Sequence, residues 1–300
     1  MDFLSVADLG GEGLAEVLAT AAAVKAEPGK AAGRLTGRKV GLFFEKPSTR
    51  TRVSCEVAAA DVGAVPLVLK QDEVGLGKRE SVADVARTLD RYLDVLCFRV
   101  FRHRDLVTVA EHAAAPVINL LSDLEHPCQA LADLQTLAES RPLPGAVLAF
   151  LGDGNNVCHS LLLAGAMRGV SLRVASPPGF EPSDEVVARA RALAAPGAEI
   201  SIGHDPAEAV RGADAVYTDV WASMGQEAEA AERRRLFEPF RVDERLFALA
   251  GPQAIFLHCL PAHRGDEVTD GVADHERSRI FDQAENRMHA FKAILLHVAG

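Results

Sequence analysis

The chain lacks the features that would place it in several protein classes. Its five cysteines, Cys55, Cys97, Cys128, Cys158 and Cys259, are scattered, odd in number and form no C-x-x-C pair. This argues against a disulfide framework or a structural zinc site and for a reducing compartment. No apolar run reaches the ~18 residues a membrane span needs. The opening MDFLSVADLG has neither the basic nor the apolar region of a signal peptide. Positive charge is not in excess: the net charge is −10, with acids spread along the chain. A bulk anion such as nucleic acid is therefore an unfavourable partner, and a small anion needs a local basic site. Internal repeats and low-complexity segments are absent beyond an alanine bias. These absences describe a cytoplasmic protein that engages neither membrane nor nucleic acid.

What remains is ordinary globular composition, 48% hydrophobic and 25% charged, enough to build a core without disulfides or metal. A length of 300 residues suggests two domains of about 150 residues each. Short β-rich runs at 39–44, 65–69, 95–99, 116–120, 146–151, 171–175, 198–202, 215–218 and 254–258 alternate with helical periodicity, as at 82–93, 105–114, 127–140, 158–169 and 183–195. Such alternation predicts α/β architecture: two doubly wound parallel sheets with helices on both faces. The pattern pauses at ESRPLPG, 139–145, the expected domain boundary. The charged stretch GQEAEAAERRR, 225–235, reads as a solvated helix or a loop.

Ligands in such sheets bind beyond the carboxyl ends of the strands, so the segments just after each strand carry the functional argument. After 39–44 comes EKPSTRTR, with Ser48, Thr49, Arg50, Thr51 and Arg52 at a helix start. Cations are misplaced there, because a helix N-terminus already carries partial positive charge. The hydroxyls, the backbone N–H groups and one guanidinium would instead form an anion site. Arg50 shares a helix face with the stripe Val53–Val57 and is assigned to the ligand. Arg52 is placed to pair with Glu56. A capped helix with two solvated arginines is the plain alternative. Arg99 ends the strand VLCFR, where a charge often faces a site; a surface arginine is equally compatible. In EHPCQ, Pro127 fits a first helical turn, so His126 falls at the N-cap and Gln129 one turn on. A capping histidine is more often structural.

GDGNN, 152–156, is half of a dinucleotide fingerprint, with Val157 where the third glycine belongs and no acid ending the next strand. Nucleotide binding is disfavoured. Asn155 and Asn156 suit a small carboxylate, or simply a helix cap. DVWASMG, 219–225, offers Asp219 and Ser223 for a small zwitterion. In HCLP, 258–261, Leu260 precedes proline and is expected to be extended, aiming its carbonyl. His258 and Cys259, adjacent on a strand, are expected on opposite faces and so do not make a protease pair. His258 and His263 lack zinc-ligand spacing.

The motifs STRTR, HPCQ, GDGNN, DVWxSMG, HCLP and ENR occur in one order along nearly the whole chain. In this the sequence resembles the ornithine carbamoyltransferase family, within the aspartate/ornithine transcarbamoylase superfamily. The resemblance implies a carbamoyl-phosphate-binding domain at 1–138, an ornithine-binding domain at 139–275, and a C-terminal helix, 276–300, packing back on the first. It places the active site in the cleft between the domains of a homotrimer. It implies that Ser48, Thr49, Arg50 and Thr51 hold the phosphate of carbamoyl phosphate. Arg99, His126 and Gln129 would bind its carbamoyl group, with Arg287 also reaching it. Asn156, Asp219, Ser223 and Met224 would hold L-ornithine, while Cys259 and the Leu260 carbonyl orient the reacting amine. No metal and no cofactor is implied. The product would be citrulline, as in arginine biosynthesis.

The sequence departs from the family pattern at three places. Gly75 stands where Gln or His is usual in a loop that reaches the neighbouring subunit, with Lys78 and Arg79 as candidate replacements. Leu120 replaces a glycine, and Cys55 replaces an aromatic residue. The alternative reading is a specialised carbamoyltransferase with another amine acceptor. A binding protein that kept the pocket, or an NAD-dependent oxidoreductase, is disfavoured by the intact Arg50, Arg99, His126 and Cys259 and by the missing third glycine.

Overall fold

The computed structural model describes residues 1–222 and 230–300. All nine expected strands are present. They are β1 (Lys39–Phe44), β2 (Val65–Lys70), β3 (Val95–Arg99), β4 (Val117–Leu121), β5 (Val147–Leu151), β6 (Ser171–Ala175), β7 (Ile200–Gly203), β8 (Ala215–Thr218) and β9 (Ile255–Leu257). The longer helices among the described residues are α1 (Gly10–Ala26), α2 (Thr49–Asp61), α3 (Val82–Leu89), α4 (His103–His112), α5 (Pro127–Ser140), α6 (Asn156–Met167), α7 (Asp184–Ala192), α8 (Ala230–Phe237) and α9 (Ile280–Ala299).

The chain divides into two compact units, Met1–Gln135 with Glu285–Gly300, and Thr136–Ala284. The first division falls inside α5, a few residues before 138. The chain rejoins the first unit at Glu285, within α9, rather than at 276.

The first unit holds a four-stranded parallel sheet in the order β2-β1-β3-β4. Strands β3 and β4 are buried throughout, as parallel strands covered on both faces must be. Phe43 and Phe98 meet in its core with ring centroids 5.0 Å apart. The second unit holds a five-stranded parallel sheet in the order β7-β6-β5-β8-β9. Its core gathers Leu151, Val216, Phe247 and Phe256. In each sheet the chain builds outward one way and then returns to build the other way. The switch point lies between β1 and β3 in the first sheet and between β5 and β8 in the second. Crevices for ligands open at the carboxyl ends of such strand pairs.

Val53 and Val57 on α2 are 54% and 41% exposed. The buried face carries Thr51, Cys55, Ala58 and Ala59. Arg50 is exposed on the same face as the two valines. The reading of 225–235 as a solvated helix or a loop is corrected at one residue. Within 225–235, Arg233 is buried, its Nη1 2.8 Å from Asp153 Oδ2 and 3.0 Å from the Trp221 carbonyl. A helix rich in charge need not be solvated along every side chain.

Candidate active site

In the first unit several residues expected to hold an anion converge on one hydroxyl. β1 delivers the chain to Ser48, whose extended backbone starts α2. Ser48 makes no side-chain cap, contrary to expectation; its Oγ lies 3.0 Å from Thr51 Oγ1. Arg287 Nη2 donates to Thr51 Oγ1 at 2.9 Å, and Arg99 Nη1 approaches the same oxygen at 3.4 Å. Arg99 comes from the end of β3 and Arg287 from α9, and both are buried. Arg287 Nη1 also donates to Gln129 Oε1 at 2.7 Å. Ser48, Thr51, Arg99, Gln129 and Arg287 thus form one connected cluster beside the switch point.

His126 lies against this cluster. Its carbonyl accepts the first helical bonds of α5 from Gln129 and Ala130, the backbone role of an N-cap. Burial holds its pKa well below the ordinary histidine value, and the nearby Arg287 and Arg99 lower it further. The imidazole is neutral at physiological pH, able to donate from one nitrogen without adding charge. Burial likewise raises the Cys128 thiol to about 12, raises Cys55 further, and holds Cys97 well above the ordinary thiol value. These cysteines are un-ionised and unreactive. Leu120 is fully buried within β4.

Thr49 and Arg50 stand exposed at the mouth of α2. Arg52 Nε pairs with Glu56 Oε1 at 2.6 Å, as expected. A cleft of about 880 Å³ beside them is lined by Phe44, Ser48, Thr49, Val53, Lys70 and Lys78. Gly75 ends a short helical turn, Gln71–Val74, at φ +68° and ψ 34°. Lys78 and Arg79 are exposed, and Arg79 pairs with its neighbour Glu80.

In the second unit, the loop after β5 is shaped by a close approach. A Cβ on Gly154 would sit 2.1 Å from Pro182 N, so only glycine fits. Asn155 caps α6, accepting from Val157 N at 3.0 Å and Cys158 N at 3.2 Å. Its amide nitrogen donates to Asp219 Oδ2 at 2.8 Å. Asn155 is thus a structural cap of α6. Asp219, just past β8, also receives the Cys259 thiol at 3.0 Å. Ser223 and Met224 lie outside the described residues.

The HCLP segment departs from both expectations made for it. Leu260 is not extended: its φ is +59°, and the Leu260–Pro261 bond is cis. This conformation is unfavourable for a side chain with a Cβ. It is held by the Leu260 N–H, which donates to His258 Nδ1 at 2.8 Å. His258 and Cys259 do not diverge, because both lie past the end of β9, where strand alternation no longer applies. One ligand-type atom each of Asp219, His258 and Cys259 falls within 4.8 Å of the others. His258 Nε2 in turn lies 3.1 Å from Glu267 Oε1, both residues fully buried.

Four buried polar residues beside these clusters are not legible in the sequence: Asp133, Arg233, His258 in its structural role, and Glu267. No sequence signal marks them, since their burial comes from the fold.

The fold and these clusters fit a class, enzymes of two parallel-sheet α/β units, in which ligands bind at the switch points of the sheets. The comparisons narrow it. Residues 1–139 match the family domain described as "Aspartate/ornithine carbamoyltransferase, carbamoyl-P binding domain", and residues 144–298 match the "Asp/Orn binding domain". The ornithine carbamoyltransferase of Parasynechococcus marenigrum is 53% identical over 300 residues, covering 100% of this chain and 94% of its own. The solved ornithine carbamoyltransferase of Pyrococcus furiosus superposes with a TM-score of 0.96 at 48% identity, covering 100% of this chain and 97% of its own. The anabolic enzyme of Campylobacter jejuni does so at 0.94 and 37% identity, covering 99% and 98%. The chain belongs to the aspartate/ornithine carbamoyltransferase family.

Proposed function

We propose that the protein transfers the carbamoyl group of carbamoyl phosphate to the δ-amine of L-ornithine, giving L-citrulline and phosphate. The observation that carries this is the connected cluster of Thr51, Arg99, Gln129 and Arg287 beside a neutral His126. Attack by an amine on the carbamoyl carbon puts negative charge on the carbonyl oxygen and on the leaving phosphate. Fixed guanidiniums and donors stabilise that charge without a covalent intermediate. Ser48, Thr49, Arg50 and Thr51 take the phosphate. Arg99, His126, Gln129 and Arg287 take the carbamoyl group.

The second unit supplies the acceptor. Asn156, Asp219, Ser223 and Met224 hold the amino-acid end of ornithine, while Cys259 and the Leu260 carbonyl direct the amine. The Asp219–Cys259 hydrogen bond supports ornithine over a dicarboxylate acceptor, since a carboxylate at this place favours a cationic substrate. Holding both substrates in reacting order supplies much of the rate.

The working assembly is a homotrimer, acting in arginine biosynthesis in the cytoplasm. Exposed Val53, Val57, Val65 and Leu67 on α2 and the edge strand β2 support a covered face, because exposed apolar edges are otherwise a liability. The test is a panel of amines offered with carbamoyl phosphate, with citrulline measured. Citrulline formation that collapses in Arg50→Ala supports the reading. Carbamoylation of another amine in place of ornithine overturns the acceptor assignment.

A further inference from the structure

Gln129 and Asp133 are four residues apart on α5 and therefore share a face. Both are buried, at 1% and 0% exposure. Gln129 Nε2 donates to Asp133 Oδ1 at 2.8 Å, and Gln129 Oε1 accepts from Arg287 Nη1 at 2.7 Å. At this contact the Asp133 oxygen accepts, and a guanidinium only donates. Turning the amide over would set oxygen against oxygen and nitrogen against nitrogen at both ends. An acceptor on one side and a donor on the other thus fix which end of the Gln129 amide faces each way.

This matters because the carbamoyl group is two-ended. Its oxygen accepts and its amino group donates. The surrounding arginines donate only, so they serve the oxygen or the phosphate and not the amino end. Gln129 Oε1 carries two lone pairs, of which Arg287 uses one. We propose that Asp133 is a positioning residue that makes Gln129 an obligate acceptor for the amino group of the carbamoyl substrate, and so sets the preference for carbamoyl over simple acyl phosphates. The proposal rests on the reading of the first unit as a carbamoyl phosphate site.

Acetyl phosphate is the probe, because it keeps the phosphate and the carbonyl and replaces the amino group with methyl. The quantity to measure is the ratio of its dissociation constant to that of carbamoyl phosphate, by calorimetry. Loss of general charge or packing moves both constants together and cancels in the ratio. In Asp133→Asn the new amide can donate or accept, so either orientation of Gln129 is satisfied at that end. The ratio is expected to fall about fivefold to tenfold, the worth of one lost hydrogen bond. The exchanged pair, Gln129→Glu with Asp133→Asn, restores an acceptor that cannot turn over and keeps the total charge. It is expected to bring the ratio back to within about twofold of wild type.

An unchanged ratio in Asp133→Asn, with wild type still binding carbamoyl phosphate, overturns the proposal. Wild type that binds neither phosphate overturns the site reading instead. If Asp133→Asn does not fold, Asp133→Ser, whose hydroxyl can likewise donate or accept, takes its place. A ratio several-fold below that of wild type supports the proposal, and an unchanged ratio refutes it.

Discussion

Gly75→Gln places the family's usual side chain where this chain has glycine, and the structure predicts a destabilised loop from it. Gly75 occupies the left-handed region at φ +68°, which costs a residue with a Cβ ~1–2 kcal/mol. An added Cβ would also lie 2.6 Å from Arg79 Cβ. That contact is to the base of a side chain, not its flexible end, so backbone between Gly75 and Glu80 has to move. With about 1–3 kcal/mol for the contact, the combined loss is about 2–5 kcal/mol. For a domain of this size each kcal/mol lowers the melting temperature by about 2–4 °C, which gives a drop of roughly 4–20 °C. Gly75→Ala should lose nearly as much, since the penalty belongs to the Cβ. Gly75→Asn should lose less, because asparagine tolerates this region. Thermal unfolding by circular dichroism measures the series, and the Michaelis constant for carbamoyl phosphate follows it. The expected result is a higher constant in both Gly75→Gln and Gly75→Ala. A Gly75→Gln protein that melts with wild type and binds carbamoyl phosphate more tightly would refute the reasoning.

Arg50→Ala should raise the Michaelis constant for carbamoyl phosphate more than tenfold with little change in melting temperature, because Arg50 is exposed. Arg52→Ala should alter either by less than ~1 kcal/mol, the range of a surface pair; steady-state kinetics and melting curves separate the two. Arg233→Met leaves Asp153 without its buried partner and should destabilise the second unit by about 3 kcal/mol. It should raise the Michaelis constant for the amine while sparing the affinity for carbamoyl phosphate, and equal effects on both substrates would count against it. His126 has a depressed folded pKa, so below about pH 6.5 the unfolded chain takes a proton the folded protein refuses. Its contribution is complete above that pH and declines as pH falls. Urea midpoints at pH 7.5 and 5.5 should show wild type losing more stability than His126→Asn. Parallel losses would mean that His289, also depressed by burial, and other groups carry the effect.

The strands were legible because parallel strands buried on both faces are apolar runs of the right length, separated by helical periodicity. Strand β4 lies one residue from its expected place, a shift that period-two patterning across 116–121 cannot resolve. The post-strand segments were legible because topology fixes where ligands bind, whatever the local conformation. Which face of α2 is buried was not legible, because nothing local separates a core stripe from an exposed apolar one such as Val53 and Val57. Leu260 was misread because the rule for residues before proline is statistical, and the His258 hydrogen bond overrides it. Asp133 and Glu267 were missed for a different reason. Each contacts a partner close in sequence, yet only the fold shows that both members of each pair are buried.

Arg287 reaches Thr51 and Gln129 from across most of the chain's length. The N-terminal sheet can be made early in synthesis, but the cluster around Thr51 acquires one of its two buried guanidiniums only when α9 emerges from the ribosome. A nascent chain therefore carries Ser48, Thr51 and Gln129 long before Arg287 can join them. Any proteolytic nick that frees the residues after Glu285 should break this cluster while leaving most of the sheet standing.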